Sequence, residues 1–544
     1  MRVRNHRRSS GAVHNDDTDE QNMSVDTSTS QVGCDESIDM PVDNSNCNNV
    51  DHEDSLNYSD DRDYSAKYDD IDDCDYGDDS DERDNESKNQ ESLIRRELRQ
   101  WVWKNNVPRS TLDSLLNILK PYHPELPKSS KTLLKSKLKL HKCMEKFDPL
   151  NNSNDAEFVY IGIASHLKRS IRPTFHPDKI LPLQIHFDGL PLFKSSPVQL
   201  WPILSRVYCE DFYYAPFTVA IYCGKSKPHP VDRYLQNLVD ELNDLLKNGI
   251  IIKNTMFKIA LMCFICDRPA RSLIKCIKSH NAYYGCERCN IKGEKPDNTV
   301  VFPHIYEERR TDDSFRSVKH PQHHLGLSPL TKIIPPIDMV RQFVLDFMHL
   351  GFLGIMKRLL NEYWLAGPKK LSRQSSIHLS QRLMNLSHQI PNDFQRSTRS
   401  LGEIQMWKAT EFRLFLMYIG PFVLSDILSD DLLEHFMLLY VACRILSSDS
   451  TCLKYINHAQ LYLERFVLLC YSNYRPNSQV SNIHSLIHLC DDVKFMNTNI
   501  NNYTAFPFEN KLGKMKKKIK SGYKHVVQKK MTWSSNIIVQ QITS

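Results

Sequence analysis

Apolar residues are scarce over residues 9–91 and recur with a clear period after them. The first stretch, with runs such as DDRDYSAKYDDIDDCDYGDDSDERDNES, has too little apolar surface to offset chain entropy, and it reads as a disordered acidic tail over 1–91. From 92 to 145 the period is helical. Leu93, Leu98, Trp101 and Val102 share one face, and Leu112, Leu115, Leu116, Ile118 and Leu119 form another. Ser110–Thr111 reads as the N-cap of the second helix and Pro121 as its stop, giving a small helical unit compatible with a helix-turn-helix or a packing module.

Between 156 and 310 the pattern changes to short runs rich in β-branched and aromatic residues. FVYIGIASHL, LPLQIHFDG, FTVAIYCG and FKIALMCFICD predict strands. VDRYLQNLVDELNDLLKNG has a 3.6-residue period and a terminal glycine, so it predicts the helix between the last two. Residues 335–475 return to helical spacing in DMVRQFVLDFMHLGFLGIMKRLLNEYW, ATEFRLFLMYIGPFVLSDIL, DLLEHFMLLYVACRIL and CLKYINHAQLYLERFVLLCYSNY. The expected class is therefore α/β, with an all-α block following the α/β part.

Two predicted strands end in a carboxylate, Asp188 and Asp267. Hard divalent cations take carboxylate oxygens, and acids at strand ends sit on a rigid base. A hairpin turn at Asp188-Gly189 and a helix N-cap at Asp267 explain the same residues locally. A second set is softer. Cys286-Glu-Arg-Cys289 has the spacing of half a zinc site. His484 and His488, at i and i+4, share a helix face and complete a Cys2His2 set, with His320, His323 or His324 as competing ligands. Cys263 and Cys266 have the same spacing, but on a strand a separation of three points them to opposite faces. His349 lies beside Asp346 in DFMH, placed either near the reacting centre or in a cap.

Charge sharpens the picture. The net charge of +5 divides into about −19 over 1–91 and about +24 over the remainder. That asymmetry suggests a nucleic-acid binder with an acidic tail. Lys511, Lys514, Lys516, Lys517, Lys518 and Lys520 form a run suited to phosphates or to nuclear import. No apolar run reaches the ~18 residues of a membrane span, and no secretory signal is expected. The 15 cysteines are therefore expected as thiols or metal ligands. There is no P-loop signature, so no nucleotide cofactor is expected.

The ordered series HFDGLPLFKSSPVQLWPIL, CDRPARSLIKCIKSHNAYYGCERCNIKG, LDFMHLGFLGIMKRLLNEYW, WKATEFRLFLMYIGPFVL, IHSLIHLCDDV and FPFENKLGKMKK resembles the transposase-domain proteins related to CACTA (En/Spm-type) cut-and-paste DNA transposases, from about residue 92 to about 530. The resemblance implies an RNase H-like core with a DDE acid triad, its first part at 156–334. A helical insertion at 335–478 and a completing segment at 479–530 would follow, with a tail at 531–544. Carried over by motif, the first two acids are Asp188 and Asp267. The third is assigned to Glu509 in FPFEN, with Glu411 and Asp346 as the alternatives. The implied chemistry is hydrolysis of a phosphodiester and strand transfer, using two magnesium or manganese ions. The implied partners are double-stranded DNA at element ends and target, and further copies of the chain, in the nucleus. Related transposases carry the same CxxC and HxxxH pair, consistent with zinc. Family members often continue beyond the basic run, whereas this chain stops at Ser544. That departure favours a rival reading, a non-catalytic DNA-binding or chromatin-associated protein domesticated from such an ancestor.

Overall fold

The computed structural model describes residues 93–105, 107–134, 145–147, 156–193 and 196–517. The expected acidic tail, the tail at 531–544, and Lys518 and Lys520 lie outside the described residues.

The centre is a nine-stranded mixed sheet. Its strands are β1 (Glu145–Lys146), β2 (Glu157–Tyr160), β3 (Ile180–Phe187), β4 (Leu190–Pro191), β5 (Gln199–Val207), β6 (Phe217–Gly224), β7 (Ile250–Ile252), β8 (Thr255–Cys266) and β9 (Phe343–Leu345). The spatial order is β1-β2-β6-β5-β3-β8-β7, with β4 paired to β5 and β9 to β8. The strands from β2 to β3 pair antiparallel. β3, β8 and β9 run parallel to one another. The chain thus builds outward from β3 through β5 to β6, crosses back, and resumes on the other side of β3 with β8 and β9. This reversal of strand order is a topological switch point, where ligands bind at the carboxyl ends of strands.

Both faces of the sheet are covered, which explains why β6 is buried at every position. One face packs on the helix Val231–Asn248, whose Tyr234, Leu235, Leu238, Val239, Leu242 and Leu245 form the buried stripe. That helix ends at Gly249, in the left-handed region at φ 67°. The other face packs on the helical block and on the helix Phe506–Lys517. Cys263 joins this second core and Cys266 the first, as a spacing of three on a strand requires. Residues 93–134 pack around a small core of their own that includes Val102, Leu112, Leu116 and Leu133.

Several expectations are corrected. The second helix of that small unit begins at Arg109 after Pro108, not at a Ser-Thr cap, because proline already sets the entry dihedral. FVYIGIASHL divides into β2 and the helix Ala164–Ser170 at Gly162, whose φ is 92°. The central strand β5 carries Pro202 and was not expected. Proline is tolerated there beside the register shift at Ile203/Leu204, where the ladder is already irregular. The first third of DMVRQFVLDFMHLGFLGIMKRLLNEYW is a turn followed by the three-residue strand β9, and helix begins only at Met348. The helical block therefore starts later than 335. No helix of the described residues is long and apolar enough to cross a membrane.

Candidate metal centres at the carboxyl edge of the sheet

Phe187 pairs with Cys266, and Cys266 with Leu345. The next residues on these three parallel strands are Asp188, Asp267 and Asp346, so the sheet register sets three carboxylates along one edge. Through Asp188 and Gly189 the chain runs on without a turn, since β3 and β4 keep one antiparallel register along β5. A Cβ on Gly189 would meet the Trp201 indole at 2.7 Å, so this close approach favours glycine. Gly189 N–H donates to Asp188 Oδ1 at 2.7 Å. Asp267 is also the N-cap of the helix Arg268–Ile274, accepting from Ala270 N–H at 2.7 Å. The N-cap explanation of Asp267 thus holds, whereas the hairpin turn expected at Asp188-Gly189 is corrected: the strand continues through these residues, and the chain reverses only after β4.

Glu509 reaches this edge from the first turn of the helix Phe506–Lys517. One ligand atom each from Asp188, Glu509 and His186 lie within 4.8 Å of one another. The charge of Asp267 acts on both Asp188 and Glu509. Burial, then Glu509 and Asp267, push the Asp188 carboxyl up to about 8. Burial likewise raises Glu509, against the opposing charge of His349. Carboxylates that resist ionising together are what a divalent cation relieves.

The alternatives for the third acid have other work. Asp346, 1 % exposed, accepts from Ala505 N–H at 2.8 Å and from the His349 ring at 2.7 Å. It thereby fixes both the start of the Glu509 helix and an imidazole whose Nε2 is 3.7 Å from Glu509. Burial alone would lower His349, but its hydrogen bond and charge contact with Asp346 raise it to about 9. Glu411 caps its own helix and pairs with Arg399 at 2.5 Å.

A cavity of about 620 Å³ opens beside the acids, lined by Asp267, Asp346 and His349, with Arg268, Lys295 and Arg358 among its walls. Lys514 and Lys517 are exposed on the Glu509 helix, Lys511 is half-buried, and Lys516 Nζ donates to the Pro191 carbonyl at 2.6 Å.

The softer set also converges. Cys286, Cys289, His484 and His488 are each at most 4 % exposed, and their ligand atoms gather in one cluster. Cys289 Sγ lies 3.5 Å from Cys286 Sγ and 3.3 Å from His484 Nε2. His488 Nε2 lies 3.5 Å from Cys286 Sγ and 3.2 Å from His484 Nε2. Tetrahedral zinc, with bonds of about 2.3 Å to sulfur and 2.0 Å to nitrogen, spaces its ligands roughly 3.3 to 3.8 Å apart. The donors therefore fit zinc in both type and spacing. His484 lies near the end of the short helix Ser481–Ser485 and His488 ends a following 3-10 turn, rather than both lying on one α-helix. Burial would raise the Cys286 thiol, but Cys289 and the imidazoles hold it well below its usual range. The competing His323 bonds instead to the Tyr284 carbonyl at 2.8 Å.

The two residues inside the CxxC brace the acid edge. Glu287 is buried against Arg268 at 2.6 Å, Arg271 at 2.8 Å and Lys275 at 3.4 Å. Arg271 in turn donates to the Cys266 and Val344 carbonyls, closing the ends of β8 and β9. Arg288 pairs at 2.7 Å with Asp492, four residues after His488, and Asp492 accepts from Leu345 N–H at 2.6 Å. None of Glu287, Arg288, Asp492 or His186 was singled out in the sequence. For His186 a signal existed: Gln184, His186 and Asp188 alternate with Leu183, Ile185 and Phe187, so they share one face of β3.

In comparisons with known proteins, no family model and no curated protein matches the chain.

Proposed function

We propose that the protein is a transposase of the DDE type, related to CACTA elements, with an RNase H-like core that cleaves DNA phosphodiesters and transfers strands. The observation that carries this reading is the convergence of Asp188, Glu509 and the charge of Asp267 at the switch point of the sheet. The order β6-β5-β3-β8-β9, with β5 antiparallel to its neighbours and β3, β8 and β9 parallel, supports an RNase H-like core.

In this reading Asp188, Asp267 and Glu509 hold magnesium or manganese, which supplies Lewis-acid polarisation of the scissile phosphodiester. The chain's own residues do the rest. Asp346 orients His349, which holds Glu509 at the edge of the cavity. Exposed Lys514 and Lys517 grip backbone phosphates, a contact that positions duplex DNA without reading its sequence. The cavity at Asp267 admits the strand to be cut, and its basic walls favour an anionic substrate. The Cys2His2 set takes zinc and ties the segment bearing Glu509 to the sheet. Action on paired DNA ends by several copies, in the nucleus, belongs to the same proposal.

The test is cleavage and 3′-end joining on duplex DNA with magnesium or manganese, comparing the protein with Asp188→Asn, Asp267→Asn and Glu509→Gln. Loss of activity in all three supports the reading. Metal-dependent cleavage that persists unchanged in these variants would sink it. DNA binding without cleavage would instead favour the domesticated, non-catalytic reading.

A further inference from the structure

His186 is fully buried under the acid edge, two residues before Asp188 and on the same face of β3. Its ring is stacked on Phe508 from the Glu509 helix, with centroids 4.7 Å apart and planes 9° from parallel. Its Nδ1 lies 2.6 Å from the Ile265 carbonyl, which can only accept, so the proton resides on Nδ1. The lone pair is therefore on Nε2, which is buried with no hydrogen-bond partner. Glu509 Oε1 has no hydrogen bond either, and its nearest cation, His349 Nε2, stands off at 3.7 Å. A buried acceptor without a hydrogen bond leaves its desolvation uncompensated. Two such atoms, in a group whose ligand atoms gather within 4.8 Å, point to one missing electrophile. The Nδ1 contact to a carbonyl is also how a metal-bound imidazole has its tautomer fixed.

We infer that His186 is a direct ligand in the acid centre, which makes that centre a His/Asp/Glu set that takes manganese in preference to magnesium. The inference rests on the reading of the acids as a metal site and adds to it a nitrogen donor. Carboxylates alone suit magnesium and manganese alike, whereas imidazole is a poor partner for magnesium and a better one for a transition metal. Because the ring is clamped between the Ile265 carbonyl and Phe508, it is pre-set for the ion rather than recruited by it.

The test uses the full chain with its zinc retained, titrated with manganese and read by pulsed electron paramagnetic resonance. The expected result is one strongly coupled histidine nitrogen, which shifts on 15N-histidine labelling and vanishes in His186→Phe, a variant that keeps the stacking partner for Phe508. Manganese affinity in that variant falls by at least about tenfold, the lower end of what losing even an outer-shell partner costs, while magnesium affinity changes less. His186→Gln carries the same comparison if the Phe variant does not fold. His349→Gln retains the coupling. Manganese bound through Asp188 with no nitrogen coupling, or a coupling that survives in His186→Phe, overturns the inference and leaves the acid centre standing. Absence of any manganese binding sensitive to Asp188→Asn overturns both.

Discussion

The protein gathers two donor clusters at one end of its sheet, and they differ in almost every physical respect. The Cys286/Cys289/His484/His488 cluster is closed, at most 4 % exposed, and made of soft and borderline donors at tetrahedral spacing. The acid edge is half-buried, dominated by hard oxygens, and open to a cavity of about 620 Å³. Closed four-ligand sites serve folding, and sites with an open position serve chemistry. Both draw ligands from either side of the helical block, so each also fastens the segment after it to the sheet. They are mechanically joined as well. Glu287, inside the CxxC, holds Arg268 and Arg271 just after Asp267, and Arg288 holds Asp492, which accepts from Leu345 just before Asp346. The comparison teaches that the first cluster holds the second in shape.

That relation can be broken. Chelation of the metal, or Cys289→Ser, is expected to have the largest effect, about 5 kcal/mol of stability and a fall in Tm on the order of 10 °C. Calorimetry with and without a chelator reads it. DNA cleavage should fail in parallel, because Glu509 loses its anchor. A chain that keeps its Tm without metal would show that the cluster is ordinary core.

Asp188→Asn should do the reverse. Cleavage falls by about a thousandfold or more, the scale of removing a preorganised electrostatic group, while stability is unchanged or rises. The sign follows from linkage. With no ion bound, the folded Asp188 carboxyl sits near 8 against an ordinary value of 3.8. The native state therefore binds the proton more tightly than the unfolded chain, and stability is lost as pH rises between those values. The Tm advantage of the Asn variant should accordingly grow from about pH 4 to about pH 8 in metal-free buffer. A variant less stable than the parent at pH 8 would mean that Asp188 serves packing.

Glu287→Gln tests the joint between the clusters. It leaves the buried cations at Arg268, Arg271 and Lys275 uncompensated, and the expected cost is about 3 kcal/mol. Cleavage should drop more than zinc affinity does, since Glu287 braces the acid edge without donating to the metal. Equal loss of both would make the two clusters one unit. The smallest effect is expected from Lys514→Ala or Lys517→Ala. Each should reduce the salt slope of DNA binding by about 1 and leave Tm in place, as measured by fluorescence anisotropy across salt concentrations.

The sequence by itself determined the local elements and the chemistry on offer. The period of VDRYLQNLVDELNDLLKNG, the strand runs, the CxxC, the HxxxH and the acids at strand ends are all written in short-range patterns, because helix and strand repeats depend on neighbours within a few residues. It misled where a short apolar run fits two periods. Phe343–Leu345 is a strand because β8 offers it an edge to pair with, not because its residues differ from those of a helix. β5 was hidden by Pro202, which a central strand accommodates only at its register shift. The alternation Gln184-His186-Asp188 could have been read, but whether it faced solvent or Phe508 could not.

Only the tertiary structure decided which donors meet. The parallel register of β3, β8 and β9 aligns Asp188, Asp267 and Asp346, and the return of the chain after the helical block brings in Glu509 and the two histidines. It also decided that Asp346 orients while Glu509 joins Asp188, and that Glu287 and Arg288 are buried in ion pairs. Such outcomes depend on pairings between residues hundreds of positions apart and on the burial they create, and no periodicity encodes either.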